Sequence, residues 1–167
     1  MEEYMKYNED YIKFSEFIIK ESLKRKYILD SSVIIKWYYS SNEEDLKQAS
    51  YFYNNSRQNN NVIVAPDLLI YEILNFFKNK SEIAENYIFT ILNEIYNTVT
   101  ILGISNNLFK KAFKIARDIG VTIYDGIYIS LSDELNIPFI TADKKLFTLT
   151  EKLNYRVVLL KNFTSEY

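Results

Sequence analysis

The stretch Tyr27-Ile28-Leu29-Asp30-Ser31-Ser32 decides how the rest of the sequence is interpreted. Its first three residues are typical of a short buried strand, and the aspartate stands where that strand would end. Further short runs rich in β-branched residues occur at 62–64, 99–102, 137–140 and 157–160. Segments with helical periodicity lie between them, including 66–77 and 108–119, and Gly120 is expected to end the latter as a C-cap. This alternation predicts a mostly parallel sheet covered by helices on both faces.

The first 25 residues have a different pattern. Apolar side chains recur at spacings of three and four from Tyr4 to Ile18, which predicts an amphipathic helix. Lys24, Arg25 and Lys26 suit the C-terminal end of such a helix, because cations interact favourably with the negative end of its dipole. We therefore expect an N-terminal amphipathic helical extension at residues 1–25 and one α/β domain at residues 26–167.

The composition excludes several kinds of active site. The chain has no cysteine and no histidine, which excludes disulfides, thiolate nucleophiles, histidine-dependent triads and the usual catalytic zinc sites. Three glycines are too few for a glycine-rich phosphate loop. Carboxylates, lysines, tyrosines and hydroxyl groups remain as the candidates for catalysis.

The charge and hydropathy patterns further limit the classes of protein to which this chain can belong. The formal net charge of −2 argues against a protein that holds nucleic acid by bulk positive charge. It is compatible with a nuclease whose acidic cluster binds divalent cations, because these reverse the local field where a phosphate approaches. No apolar run approaches the roughly 18 to 20 residues that cross a bilayer, so a soluble, cytoplasmic protein without membrane contact is expected.

Three aspartates stand at junctions between predicted elements. Asp30 follows the first predicted strand, Asp143 follows the fourth, and Asp125 stands at the opening of a predicted helix that runs to about Leu135. Ligands of open parallel sheets bind beyond the carboxyl ends of the strands, so these residues are candidate ligand-binding acids. Each is equally compatible with a simpler role as a helix N-cap, for which aspartate is a favoured residue.

Glu72 is a fourth candidate acid, about two turns inside the predicted helix 66–77 and surrounded by apolar residues. Its spacing from Leu68 and Leu69 allows it to point inward with the core. The alternative is a position at the edge of a solvated face, paired with Lys78 or Lys80. If all four acids meet at one edge of the sheet, protonation or a cation must relieve their repulsion. Ligands that are all oxygens favour Mg²⁺ or Mn²⁺, and such sites commonly act on phosphate esters.

In combination, these motifs resemble the PIN domain and, within it, the VapC-type toxin ribonucleases of bacteria and archaea. Order and spacing agree from residue 26 to about residue 163. The segments that carry the resemblance are Tyr27-Ile28-Leu29-Asp30-Ser31-Ser32, residues 66–69 leading to Tyr71-Glu72-Ile73-Leu74-Asn75, Thr122-Ile123-Tyr124-Asp125-Gly126-Ile127-Tyr128, and Phe139-Ile140-Thr141-Ala142-Asp143-Lys144-Lys145-Leu146.

The resemblance implies a three-layer α/β/α fold with a five-stranded parallel sheet. It also implies a metal-dependent endoribonuclease that hydrolyses RNA phosphodiester bonds with Mg²⁺ or Mn²⁺. The acids that would bind the metal and carry catalysis are Asp30, Glu72, Asp125 and Asp143. The family's toxins are commonly homodimers inhibited by a small antitoxin protein, so both kinds of partner are implied.

Three further polar residues would support these acids. Ser32 and Thr141 would lie beside them, with hydroxyls that bond a ligand carboxylate, a metal-bound water or a substrate phosphate, or that only cap turns. Asn75 is either a partner of Glu72 or an unrelated polar residue one turn along its helix. Candidate RNA contacts, each of which could instead be ordinary surface or packing residues, are Lys36, Trp37, Lys78, Lys80, Lys144 and Lys145.

The sequence departs from the family at two places. Gly126 stands where alanine is more frequent, which we interpret as a conservative change, and the predicted helix of residues 1–25 precedes the point where most such toxins begin.

Three other functions remain as alternatives. The first is a non-catalytic PIN-like module that binds RNA or a partner protein. The second is a receiver-type phosphoacceptor domain, although Ser31 and Ser32 occupy the place after Asp30 where adjacent acids would be needed. The third is a DNA-cutting flap nuclease, although these enzymes are longer and carry additional DNA-binding elements.

Overall fold

The computed structural model describes residues 25–41, 44–58 and 61–164. Except for Arg25, the predicted N-terminal helical extension of residues 1–25 lies outside the described residues.

Five strands in the described part of the chain form one parallel sheet, in the order β3-β2-β1-β4-β5. This confirms the predicted five-stranded parallel sheet. The order differs from the 2-1-3-4-5 order of receiver domains, which argues against that alternative. The strands are β1 (Arg25–Leu29), β2 (Asn61–Pro66), β3 (Val99–Leu102), β4 (Phe139–Thr141) and β5 (Val157–Leu159).

Seven α-helices occupy the described residues, and none of them is long and apolar enough to cross a membrane. Gly120 follows the fifth helix with a left-handed φ of 72°, as its predicted role as a C-cap requires. The helices are α1 (Ser31–Ile34), α2 (Leu46–Arg57), α3 (Leu68–Phe77), α4 (Glu85–Thr98), α5 (Asn106–Ile119), α6 (Ile123–Leu135) and α7 (Lys144–Thr150).

Two apolar clusters cover the two faces of the sheet. Side chains alternate along β1, so Tyr27 and Leu29 pack with the buried residues of α1, α2, α3 and α4. Ile28 points to the other face and packs with buried residues of α5, α6 and α7. The predicted three-layer α/β/α architecture is therefore confirmed.

Three boundaries of helices and strands differ from those predicted from the sequence. β1 includes Arg25 and Lys26, which were expected to end the N-terminal helix, because their positions pair with Asn61 and Val62 of β2. Pro66 pairs with Leu102 in the sheet, so α3 begins at Leu68 rather than at the proline. The fourth strand begins only at Phe139.

Gly126 lies buried in α6 where this helix packs on α5. A Cβ atom at this position would stand 2.6 Å from the backbone oxygen of Ala112 and 3.4 Å from the Cβ of Ala116. A contact of 2.6 Å with a backbone atom forces one helix to move. The interpretation of Gly126 as a conservative replacement of alanine is therefore wrong for this chain.

We expect Gly126→Ala to lower the free energy of unfolding by about 1–3 kcal/mol, because an extra methyl group overpacks the contact between α5 and α6. Urea unfolding followed by circular dichroism measures this change. Gly103→Ala is the matched control, since a Cβ at Gly103 meets nothing within 4 Å. Equal stability of the two variants would contradict the close approach of the helices.

Candidate active site

Two candidate acids lie on helices α3 and α6, and two lie just after β1 and β4, the strands between which the strand order reverses. Asp30 follows β1 directly, and its N–H donates to the carbonyl oxygen of Ile140 in β4 at 3.0 Å. Asp143 lies two residues beyond the end of β4. Because β1 and β4 are parallel neighbours, their carboxyl ends share one edge of the sheet. Ligands of open α/β sheets bind in this position.

Hydroxyl groups hold the Asp30 carboxylate. Its Oδ2 accepts hydrogen bonds from Ser32 Oγ at 2.9 Å and from Thr141 Oγ1 at 2.5 Å. Its Oδ1 accepts from Ser31 Oγ at 3.3 Å and from the Ser32 N–H at 3.4 Å, so Asp30 also acts as the N-cap of α1. The capping role and the contacts of Ser32 and Thr141 with an acid therefore occur together.

The same two hydroxyls join the loops that follow β1 and β4. Ser32 Oγ accepts the N–H of Ala142 at 3.1 Å, and Thr141 Oγ1 accepts the N–H of Asp143 at 3.0 Å. Thr141 is completely buried. The position of Asp30 is thus coupled to the backbone that carries Asp143.

Glu72 points toward the sheet rather than toward Lys78 or Lys80. Its Oε2 accepts a 2.8 Å hydrogen bond from the hydroxyl of Tyr128, a residue of α6 that is only 2% exposed. The Tyr128 ring stacks on Phe139 of β4 with 5.2 Å between ring centroids. Lys80 donates instead to the Tyr39 hydroxyl at 3.3 Å.

Asp125 and Asp143 each bond to the start of a helix. Thr122, and not Asp125, is the N-cap of α6, and Asp125 completes a capping box by accepting the Thr122 N–H at 3.1 Å and its hydroxyl at 2.7 Å. Asp143 caps α7 by accepting the N–H groups of Lys145 at 2.7 Å and Leu146 at 3.0 Å. The capping interpretation therefore holds for Asp143, while Asp125 caps from the third helical position.

The acids influence one another through their charges. Burial raises the pKa of Asp30, and the negative charge of Asp125 raises it further, while the hydroxyl bonds from Thr141 and Ser32 lower it. Burial raises the pKa of Glu72 to about 7, with contributions from the charges of Asp30 and Asp125 and opposing hydrogen bonds from Tyr128 and Ser31. Asp30, Glu72 and Asp125 are thus electrostatically coupled.

Their arrangement is looser than direct coordination of one ion would require. Within residues 25–41, 44–58 and 61–164, no three acidic side chains are grouped closely enough to hold an ion. Asp143 reaches the other acids through Thr141, and its own carboxylate faces the first turn of α7.

A cleft with two adjoining lobes opens beside the acids. The larger lobe has a volume of about 600 Å³ and the smaller about 350 Å³, and both are lined by Ser31 and Phe76. The other residues of the larger lobe are Leu68, Tyr71, Glu72, Asn75 and Tyr124. Those of the smaller lobe are Ser32, Ile35, Lys36, Ala142 and Asp143.

The remaining candidates have distinct positions. Asn75 lies exposed on the wall of the larger lobe, and the hydrogen bonds to Glu72 described above come from Tyr128 and Ser31 instead. Lys36 lines the smaller lobe. Trp37 donates its indole N–H to the Ala49 carbonyl at 3.0 Å, which is a packing role, and Lys144 pairs with Glu44 at 3.0 Å.

Two residues of the site, Ser31 and Tyr128, were not singled out from the sequence. Tyr128 carried a usable signal, because it lies three residues after Asp125 in a helix and a buried tyrosine hydroxyl needs a hydrogen-bond partner. Ser31 carried none beyond its place next to Asp30.

Comparison with known proteins gives one family. The sequence profile of the PIN domain matches residues 27–152. No curated protein sequence gives a significant match.

Solved structures share the fold at low sequence identity. A toxin-antitoxin complex from Klebsiella pneumoniae is 16% identical, with a TM-score of 0.58 over 80% of this chain and 96% of that one. VapBC-1 from nontypeable Haemophilus influenzae is 21% identical, with a TM-score of 0.57 over 82% and 99%. Mycobacterium tuberculosis VapC20, described as a sarcin-ricin loop cleaving toxin, is 9% identical, with a TM-score of 0.58 over 74% and 95%.

The raised pKa of Glu72 predicts a pH-dependent stability. Because the folded pKa of about 7 exceeds the ordinary value of 4.5, the folded state retains the proton more strongly than the unfolded state. This contribution to stability is complete below about pH 4.5 and is lost as the pH rises through 7. In Glu72→Gln, which stays neutral, we expect this loss to be absent.

Urea unfolding without divalent cations between pH 5 and pH 8 measures the difference. Between pH 5 and pH 8, the free energy of unfolding of the parent should fall by on the order of 2 kcal/mol relative to that of Glu72→Gln. Glu82→Gln, in the exposed loop after α3, is the control and should follow the parent. A constant difference between parent and Glu72→Gln at every pH would contradict the prediction.

Proposed function

Because this chain belongs to the PIN domain family, we propose that it is a metal-dependent endoribonuclease that hydrolyses RNA phosphodiester bonds at the carboxyl edge of its sheet. The observation that carries the proposal is the placement of Glu72 and Asp143 on the walls of one cleft, with the Asp30 carboxylate held beside it by Ser32 and Thr141. Clusters of like charge at this position in an α/β sheet are typical of sites that bind cations and phosphate esters.

The donor set fits a hard divalent cation. All candidate ligands are carboxylate oxygens. Burial, with a smaller contribution from neighbouring negative charge, raises the pKa values of Asp30 and Glu72, and a bound cation would favour their charged forms. Capping does not occupy the other two acids fully. Among the described residues, hydrogen bonds to the Asp125 carboxylate reach only Oδ2, and those to Asp143 reach only Oδ1. Asp30, Glu72, Asp125 and Asp143 are the proposed ligands of Mg²⁺ or Mn²⁺, and their side chains would have to come closer together to share one ion.

Such an ion, when bound, supplies positive charge to the phosphodiester and lowers the pKa of an attacking water. The chain itself supplies the orientation of the donors. Ser31, Ser32 and Thr141 fix the Asp30 carboxylate by hydrogen bonds, and Tyr128 fixes Glu72. Hydrogen bonds to ligand carboxylates set their direction and basicity, so these hydroxyls are positioning groups for the reaction.

The structural neighbours support a more specific role. Several of them are toxin-antitoxin complexes, and one is a toxin that cleaves the sarcin-ricin loop. We extend the proposal to a cytoplasmic toxin of a type II toxin-antitoxin pair, which acts as a homodimer and is inhibited by a small antitoxin protein. Growth arrest on expression, relieved by the product of an adjacent gene, is the corresponding cellular test.

We expect purified protein to cut RNA with Mg²⁺ or Mn²⁺ and not with chelator. Asp30→Asn and Asp125→Asn should each lower the rate at least about 100-fold, since even residues that only support metal ligands contribute 10- to 100-fold. Asp133→Asn is the matched control. It lies at the other end of α6 in an exposed ion pair with Lys111 and should keep the parental rate.

Two outcomes would contradict this function. Equal degradation by the parent and by Asp30→Asn would assign the activity to a contaminating nuclease. RNA binding without any cation-dependent cleavage would identify a non-catalytic PIN-like module.

The Thr141 hydroxyl gives a separate prediction. Thr141→Val keeps the shape of the side chain but removes the donor to Asp30 and the acceptor for the Asp143 N–H. We expect cleavage to fall by about 10- to 100-fold, and Thr141→Ser to restore most of it. Thr150→Val is the control, because in the described part of the chain the buried hydroxyl of Thr150 bonds only to carbonyls of its own helix. A parental rate in Thr141→Val would exclude the positioning role.

A further inference from the structure

Two exposed tyrosines stand on different walls of the larger lobe. Tyr71 of α3 is 69% exposed and Tyr124 of α6 is 55% exposed. Each directly precedes an acid of the candidate site, Glu72 in one case and Asp125 in the other. Two aromatic rings from separate helices are therefore presented to solvent at the entrance to the same cleft.

Helix geometry explains why the tyrosines face outward. Consecutive residues of an α-helix point about 100° apart, so neighbouring side chains leave the helix in different directions. Glu72 is directed inward to the hydroxyl of Tyr128, which leaves Tyr71 at the rim of the lobe. Asp125 folds back onto Thr122 to cap α6, and Tyr124 stays exposed beside it.

The chemistry of the two lobes differs. Among the described residues that line the larger lobe, none is lysine or arginine, and apart from Glu72, Ser31 and the exposed amide of Asn75 the lobe presents aromatic and apolar surface. The smaller lobe contains Lys36, Ser32 and Asp143, and Ser31 lines both lobes. The larger lobe is thus unsuited to bind phosphate by charge and suited to bind a flat, uncharged group.

Of the parts of an RNA chain, only the nucleobase is flat and uncharged. Bases stack on aromatic side chains largely independently of their sequence, and an amide can donate to and accept from a base edge. Within an RNA duplex the bases are stacked and paired, so they are accessible to such a surface only when unpaired.

We propose that the larger lobe binds an unpaired nucleobase of the substrate against Tyr71 and Tyr124, next to the phosphate that is cut. The place of the base relative to the cut rests on the proposed nuclease function, whereas binding of the base itself can be measured without cleavage.

The kinetic test uses a short unstructured RNA and the same RNA annealed to its complement. Tyr71→Ala and Tyr124→Ala should each raise KM for the single strand about tenfold or more with little change in kcat, as expected for the loss of one stacked base. Tyr71→Phe keeps the ring and should keep the parental KM. The control is Tyr96→Ala. Tyr96 is 56% exposed and lies at the end of α4 that leads into β3, which is the edge of the sheet opposite to the candidate site.

The binding test uses the same strand with 2-aminopurine at successive positions and the Asp30→Asn protein, which should bind without cutting. Stacking on a tyrosine should quench the fluorescence at one or two neighbouring positions, and Tyr71→Ala or Tyr124→Ala in this background should remove the quenching. The tyrosine variants should retain the Mn²⁺ affinity of the parent, which shows that the acids are undisturbed.

The two proposals fail separately. If the protein cuts no RNA but Tyr71 and Tyr124 are needed to quench 2-aminopurine fluorescence, base binding is supported and the nuclease function is contradicted. If the protein cuts RNA while the alanine variants keep the parental KM and fluorescence, base binding is overturned. Equal rates of cutting for the duplex and the single strand also overturn base binding. Base binding is likewise overturned if the alanine variants lose binding to a partner protein but keep the parental affinity for RNA.

Discussion

The burial of mutually repelling carboxylates at one edge of the sheet is the constraint on which the candidate site depends. Asp30, Glu72 and Asp125 lie in different parts of the chain, and burial, together with the charges of neighbouring acids, raises the pKa values of Asp30 and Glu72. Hydrogen bonds from hydroxyl groups offset part of this cost, because they stabilise the charged forms. The donors at Ser32, Thr141 and Tyr128 therefore belong to the candidate site as much as the acids do.

Two contacts within the fold position the acids and the hydroxyl groups that bond to them. The reversal of strand order between β1 and β4 places Asp30 and Thr141 side by side, so that one hydroxyl connects residues 111 positions apart. On one face of the sheet, Gly126 lets α6 approach the backbone of α5 closely. Since α6 carries both Asp125 and Tyr128, the packing of two helices sets the position of an acid and of the residue that orients Glu72.

The two lobes of the cleft present different chemical groups, and this difference is consistent with the net charge of the chain. A protein with a formal charge of −2 does not attract RNA by bulk electrostatics. In the proposed function, a cation held by the acids, Lys36 in the smaller lobe and the rings of Tyr71 and Tyr124 in the larger lobe would instead provide local recognition of phosphate and base. Recognition of this kind favours exposed, unpaired segments over regular helices.

The sequence by itself determined the class of fold and the candidates for the site. Alternating strands and helices and the C-cap at Gly120 depend on local periodicity and backbone preference, which neighbouring residues encode. Asp30 and Asp143 were identifiable because acids that follow parallel strands share one edge. The tertiary structure decided the order of the strands, the capping box at Thr122, the bond from Tyr128 to Glu72 and the contact of Gly126 with Ala112. These depend on side chains and backbones that are distant in the chain and meet only when the layers pack, so no local pattern specifies them.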